Sequence, residues 1–326
     1  MKRPFFLQRS FLIICGLLIL TAIVPFVVSG FWVRLLTYIF MFSVLASALN
    51  IIAGFTGYAA FGNMIFFGLG AYTTAVLMTK VHLPFPIALA GAAVVSLLLC
   101  LLLGLILLRL KGHYFALATL GAAEAMRQVV DNLTALTGGG QGITLPSLVG
   151  SPFVVNTAFY FMMLALLICI LLVVSRLAKN RLGYAFKAIR ANEDAAAVMG
   201  IDTTRYKIIS WCLSALFTGL AGSIFAYWFS YIDPGTVFDV MWVVKMFVII
   251  LIGGTGTVWG PVIGAFILET ISELVWSQFI NLHLGILGII IIVVVLFMPN
   301  GLLSLVSKGK GWKDILRSVR SGENRV

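Results

Sequence analysis

The chain has 326 residues, of which 61% are hydrophobic and only 10% charged, with a formal net charge of +11. A soluble domain holds about 25% charged residues, so this composition excludes a soluble domain of any size. The apolar runs are continuous, as in Leu97 to Leu108 and Leu284 to Met298. That excludes the short alternating strands of a β-barrel and leaves helices, because a bilayer offers backbone groups no outside partner.

In chain order, apolar segments predict spans over residues 11–29, 33–53, 62–80, 84–108, 114–131, 156–176, 207–230, 240–253, 258–279 and 283–299. The expected fold is an all-α polytopic transmembrane protein of about ten spans (8–11), forming a single transmembrane domain over residues 1–326. The first run follows Lys2, Arg3 and Arg9 but no A-x-A site, so it reads as an uncleaved span rather than a signal peptide. The fifth and eighth segments are short and interrupted by polar residues or glycine.

Charge placement tests this layout. With the N-terminus in the cytoplasm, all but four of the Lys and Arg residues fall on predicted cytoplasmic stretches; the exceptions are Arg34, Lys80, Arg127 and Lys245. This is the positive-inside pattern, and it predicts an even number of spans with both termini cytoplasmic. The same distribution argues against a nucleic-acid partner. The Thr137 to Pro152 stretch and the turn around Asp233 and Asp239 are expected outside, and residues 300–326 form a basic cytoplasmic tail. Cys15, Cys100, Cys169 and Cys212 all lie in apolar runs and read as buried small hydrophobes without CxxC spacing.

Two sets of residues inside the membrane stand out. Gly54, Gly57 and Gly62 lie where the second and third spans meet, as in a broken helix whose freed backbone faces a pathway. Thr56, Asn63, Gly253 and Gly254 join them as candidate path residues, together with Glu124 and Arg127, whose spacing lets them pair along one helix face. The pathway reading of Glu124 and Arg127 competes with a structural ion pair or an interfacial helix. Gly256, Gly260 and Gly264 recur every four residues and predict a helix-packing face, with a hinge as the alternative. Glu269 and Glu273 are one turn apart, and Lys245 either pairs with them or snorkels to the interface.

The longest charged stretch, 176–207, lies between the sixth and seventh spans. Asn192 is a good N-cap, Glu193 and Asp194 suit the first turn of a helix, Ala195 to Ala197 favour helix, Gly200 is a stop, and Asp202 can cap the next span. A two-turn helix over Glu193 to Met199 results. It is either a solvated connector or a docking helix for a cytoplasmic partner.

This stretch, from Leu182-Gly183-Tyr184 to Gly200-Ile201-Asp202 and on to Arg205-Tyr206-Lys207, resembles the cytoplasmic loop of the branched-chain amino acid ABC importer permeases, the LivM type more than LivH. Gly54-Phe55-Thr56-Gly57 with Gly62, Gly68, Gly70, Ala71 and Tyr72 is similar to the family's early glycine-rich segment. Leu110-Lys111-Gly112-His113-Tyr114-Phe115, then Glu124, Arg127 and Thr137-Gly138-Gly139, is similar to its middle block. Gly253-Gly254-Thr255-Gly256-Thr257-Val258-Trp259-Gly260-Pro261 and Met298-Pro299-Asn300-Gly301-Leu302 are similar to its late blocks, so the likeness runs over residues 45–303.

The resemblance implies the permease subunit of an importer in a bacterial inner membrane. It would translocate Leu, Ile or Val handed over by a periplasmic or other external binding protein. The implied partners are two cytoplasmic ABC ATPase subunits and a second, LivH-like permease. The 176–207 loop would dock the ATPase, with Arg190, Asn192, Glu193, Ala195, Ala196 and Gly200 as its core; Asp194 interrupts the strict Glu-Ala-Ala run. Relatives that carry urea, short amides or other amino acids are the alternative, and an autonomous secondary transporter is a further one.

Gly309-Lys310 is followed by Gly311 and forms no phosphate loop, so ATP is expected on partner subunits and no cofactor on this chain. His82, His113 and His283 form no His-Glu-x-x-His motif, no metal is expected, and no nucleophile–base set suggests an enzyme.

Overall fold

A computed structural model of the chain describes residues 21 to 278, apart from 22 and 149, together with positions 285 and 288. The predicted span 283–299 and the tail 300–326 lie outside the described residues, as does most of span 11–29. The helices are α1 (Gly30–Leu49), which runs on into a π-helical segment (Asn50–Phe55), α2 (Asn63–Thr79), α3 (Phe85–Leu107), α4 (Gly112–Asn132), α5 (Pro152–Leu177), α6 (Arg181–Ala191), α7 (Glu193–Val198), α8 (Thr203–Phe229), α9 (Val240–Gly253) and α10 (Gly260–Gln278). The eight predicted spans between 33 and 279 are thus each a helix.

Five of the helical stretches are long and apolar enough to cross a membrane: Gly30–Phe55, Phe85–Leu107, Pro152–Leu177, Thr203–Phe229 and Pro234–Gly253. The chain is therefore a multi-pass membrane protein by length and composition. α2 is shorter, and α4 and α10 are helical where expected but carry charges such as Glu124, Arg127 and Glu269.

α8 and α1 form the centre of the bundle. α2 and α3 pack on α8, while α5 and α10 pack on α1. Small residues set these approaches. Gly70 of α2 lies against the Gly219 carbonyl, and Gly222 lies against the Phe67 carbonyl, so a Cβ at Gly70 or Gly222 would strike backbone. On α3 the buried positions are Ala88, Ala92, Ser96, Cys100 and Gly104, one small residue every four. Such a stripe lets helix backbones approach closely where lipid gives no hydrophobic drive to association. Ser96 sits against Gly219, and Gly104 faces Ile208 and Trp211. The other α3 side chains, including Leu98, Leu102 and Leu105, are exposed and suit lipid.

Polar bonds tie the same helices. Asn63 donates to the Ser214 hydroxyl at 2.7 Å and accepts from the Trp211 indole at 3.2 Å, and Thr74 donates to Ser223 at 2.6 Å. Cys100 is buried as expected and Cys212 partly so, but Cys169 is exposed. An apolar run buries only the face that meets a neighbouring helix, and Cys169 lies on the other face of α5.

A two-stranded antiparallel sheet stands outside the all-α expectation. β1 (Ile143–Thr144) pairs with β2 (Tyr231–Ile232), Ile143 opposite Ile232 and Thr144 opposite Tyr231. It joins the two loops predicted to share one side of the membrane.

Candidate functional site

At the opposite end of the bundle from the strand pair, α6 and α7 cover the ends of several long helices. The local chemistry of α7 is as the sequence predicts. Asn192 is extended, and its Oδ1 accepts from Ala195 N at 3.0 Å. Glu193 and Asp194 follow in the first turn, where carboxylates meet the positive end of the helix dipole. Gly200 takes φ +85°, and its N–H and that of Ile201 reach back to the Ala197 and Ala196 carbonyls, both at 3.0 Å. This is a Schellman stop, which a residue with a Cβ adopts only under strain. Asp202 then accepts from Arg205 N at 3.0 Å and caps α8.

Within α7 only Ala196 is buried, while Val198 and Met199 at its tip are 88% and 83% exposed. The start of α7, in contrast, is fixed. Lys207, in the first turns of α8, is 3% exposed. Its ammonium donates to Glu193 Oε1 at 2.7 Å, the Leu108 carbonyl at 3.0 Å and the Tyr58 hydroxyl at 3.1 Å. All three ammonium donors are therefore used. Tyr58 in turn donates to Glu193 Oε2.

Burial alone would raise the Glu193 carboxyl, but the bonds from Lys207 and Tyr58 and the charges of Lys207 and Lys111 outweigh it and hold the group below its ordinary value. Burial, then the bond to Glu193, pushes the Tyr58 hydroxyl up. Lys111 pairs with Asp194 at 2.6 Å in the open, where solvent screening leaves such a pair little weight.

A second cluster lies beside the first, at two interruptions of the long helices. One is the π segment and the 56–62 loop, and the other is the turn between α9 and α10. Asn50, fully buried, donates to the Thr257 carbonyl at 2.8 Å and accepts from Gly256 N at 2.8 Å. Arg190 of α6 donates to the Gly54 carbonyl and, at 3.3 Å, to the Thr255 hydroxyl. Gly57, at φ +82°, and Gly256, at φ +73°, both lie against the Arg190 side chain. Gly54 has no room for a Cβ, because Asn50 and Gly256 N occupy that space.

The structure thus gathers Arg190 and Glu193 with the Gly54–Gly57 and Gly254–Gly256 stretches. Thr56 is buried and donates to the Ile51 carbonyl at 3.2 Å; Gly62 packs on Thr119 of α4. Asn63 is committed to the α2–α8 contact. Gly253 meets the Gly260 carbonyl, and Gly254 takes φ +114°. Ala195 and Gly200 are exposed. Glu124 and Arg127 pair with each other at 3.5 Å on α4, with Gln128 also donating to Glu124 at 3.2 Å; Glu124 is exposed, while Arg127 is half-buried with its Nε buried. Lys245 meets Glu269 at 3.3 Å, which favours the pairing over snorkelling.

The glycine repeat needs correction. Gly256 is not on a helix, because α10 begins at Gly260 and Gly256 belongs to the turn before it. The packing face is Gly260 with Gly264, set against Gly253 and the Ile249 carbonyl of α9. The longer small-residue seam, on α3, was hidden because it mixes Ala, Ser, Cys and Gly. Sequence reasoning also missed Asn50, Tyr58 and Lys207 as site residues. A lone Asn closing an apolar run, with no charged neighbour to solvate it, was the one available signal.

Beyond this geometry, a family model described as "Branched-chain amino acid transport system / permease component" matches residues 31–295. The chain belongs to this family. The permease is 31% identical over 324 residues to the high-affinity branched-chain amino acid transport system permease protein LivM of Salmonella typhimurium, covering 91% of this chain and 75% of that protein. It is 30% identical over 325 residues to LivM of Escherichia coli, with the same coverage. The likeness to LivH of Salmonella typhimurium is 26% over 198 residues, or 57% of this chain and 64% of that protein. No solved structure matches the permease. Its family is a transport component, in keeping with the packed helices and with a site built of ties between chain segments.

Proposed function

We propose that this permease is a membrane subunit of an ATP-binding cassette importer that carries Leu, Ile or Val. α7 is the docking element for a cytoplasmic ATPase. The observation that carries this reading is the contrast within α7: a rigidly anchored first turn and an apolar tip, Val198 and Met199, that nothing among the described residues covers. A short helix with small flanking alanines and an exposed apolar tip fits a groove on a folded partner.

In this reading the α6–α7 end is cytoplasmic, ten spans place both termini there, and the strand pair faces the outside. Two ATPase subunits supply ATP hydrolysis, a second LivH-like permease completes the membrane part, and an external binding protein delivers substrate. The membrane is the inner membrane of a bacterium. The names of the LivM and LivH relatives support the substrate and the pairing. α4 supports the position of the pathway: it exposes Glu124, paired with the half-buried Arg127, a charge that lipid does not suit, so this face meets the partner permease. The path then includes Thr56, Gly57, Gly62, Asn63, Gly253 and Gly254. Between α2 and α4 a cavity of about 290 Å³, lined by Leu69, Val76, Met126 and Val129 among others, suits a branched aliphatic side chain.

The test is uptake of labelled leucine into vesicles holding the complete importer. Val198→Asp with Met199→Asp should leave the permease in the membrane but abolish ATP-driven uptake; unchanged uptake refutes the docking assignment. Uptake that persists without the ATPases favours a secondary carrier. Exchange of the binding protein for one that takes urea or short amides separates the substrate alternatives.

A further inference from the structure

We propose that Asn50 and Arg190 are the positioning residues that carry movement of the ATPase dock to the two helix interruptions, so that the breaks at 54–62 and 254–259 move as one unit with α6. This rests on α7 being the dock.

Asn50 is fully buried in an apolar helix, and both halves of its carboxamide are bonded to backbone of the turn about two hundred positions further along the chain. A buried amide left unbonded is costly, so the two breaks part only if Asn50 finds other partners. Its partners are the N–H of Gly256 and the carbonyl of Thr257, so the tie is to the chain itself and not to a side chain that can swing away.

Arg190 adds the link to the dock. One guanidinium nitrogen meets the Gly54 carbonyl, which lies in the last turn of a helix and lacks a helical partner ahead of it. Another meets the Thr255 hydroxyl at 3.3 Å. A single side chain of α6 therefore holds both breaks. The absence of side chains at Gly54, Gly57 and Gly256 is what lets the three segments close on it. Tyr58 bonds Glu193 and Lys207, so α7 is tied to the same 56–62 loop as well as to α8.

A residue that only stabilised the fold would, when replaced, lower the amount of assembled importer. A residue that transmits movement changes how much ATP is used for each substrate carried. The experiment reconstitutes the complete importer in proteoliposomes and measures ATP hydrolysed per leucine imported, counting only assembled complex. Asn50→Leu, close in volume but without either bond, should raise that ratio about tenfold. Asn50→Asp keeps the acceptor for Gly256 N and should fall between. Asn50→Leu combined with Arg190→Lys should be no worse than the more affected single variant, because both cut the same joint.

A ratio equal to wild type in assembled Asn50→Leu overturns the proposal. If Asn50→Leu does not assemble, Thr255→Val decides: it removes one exposed bond and should raise the ratio about threefold, and an unchanged ratio overturns the joint. Wild-type uptake that needs no ATP overturns the functional reading itself, a result distinct from either.

Discussion

The two ends of the bundle are closed by different means. At one end, β1 and β2 exchange backbone bonds, Leu145 N reaches the Ser230 carbonyl at 2.8 Å, and the Tyr231 hydroxyl meets the Gln141 carbonyl at 3.1 Å. At the other, side chains do the closing: Lys207 with Glu193, Arg190 with Gly54, and Asn50 with Gly256 and Thr257. A backbone ladder tolerates most changes of side chain and has no titrating group. A side-chain closure is broken by one substitution and responds to protons. On the proposed function, the end that changes shape for a partner is the one built of exchangeable parts.

The sharpest way to break this contrast is Lys207→Met. It leaves the Glu193 carboxylate half-buried without its counter-charge, and loss of one member of a buried pair costs about 3 kcal/mol. The unfolding midpoint of the detergent-solubilised permease should fall by several degrees. Adding Glu193→Gln should recover most of that loss, since no stranded charge remains; if it does not, the charge pair is not what holds α7.

Gly142→Ala tests the backbone end. Gly142 sits at φ +71°, with the Ile232 carbonyl where a Cβ would go, and the strain should cost about 1–2 kcal/mol by the same measurement. Thr144→Ala on β1 should cost far less, and equal losses would mean that side chains matter at this end too.

Acid should separate the ends next. Glu193 has a folded pKa below its ordinary value of 4.5, so its stabilisation is complete above that value and is lost as pH falls through the lowered one. Lowering pH through the carboxylate range should loosen the α6–α7 end first, read as hydrogen exchange at Ala195 to Ile201, while the Ile143–Thr144 amides stay protected. Glu193→Gln should remove that pH dependence. The smallest effect is expected for Lys111→Ala: its pair with Asp194 is exposed to water, and no change in the midpoint should be measurable.

What was legible in the sequence follows the distance between partners. Asn192, Gly200 and Asp202 act on groups within three or four residues of themselves, and each does in the structure what its type and position predict. The eight helices between 33 and 279 were legible from apolar run length. Asn50, Lys207 and Tyr58 were not, because their partners lie 99 to 207 positions away, apart from the Lys207–Glu193 pair at 14, and no local rule connects them. The strand pair was hidden for the same reason: two residues on each side carry no alternation to read. Gly256 was misread for the opposite reason, since a repeat every four residues implies a helix face only if the chain is helical throughout. The turn after Gly253 interrupts it.

The π segment at Asn50–Phe55 has one more consequence. A π turn holds an additional residue compared with the α-helical turn around it. Rewound as α-helix, it would rotate everything after it by about 100° and advance it by about 1.5 Å. Rewinding it with every residue kept would therefore yield a more regular helix and a worse protein: the 56–62 loop, with Gly57, would swing off Arg190. The irregularity works as a spare link in the chain, and its value lies in being left unwound.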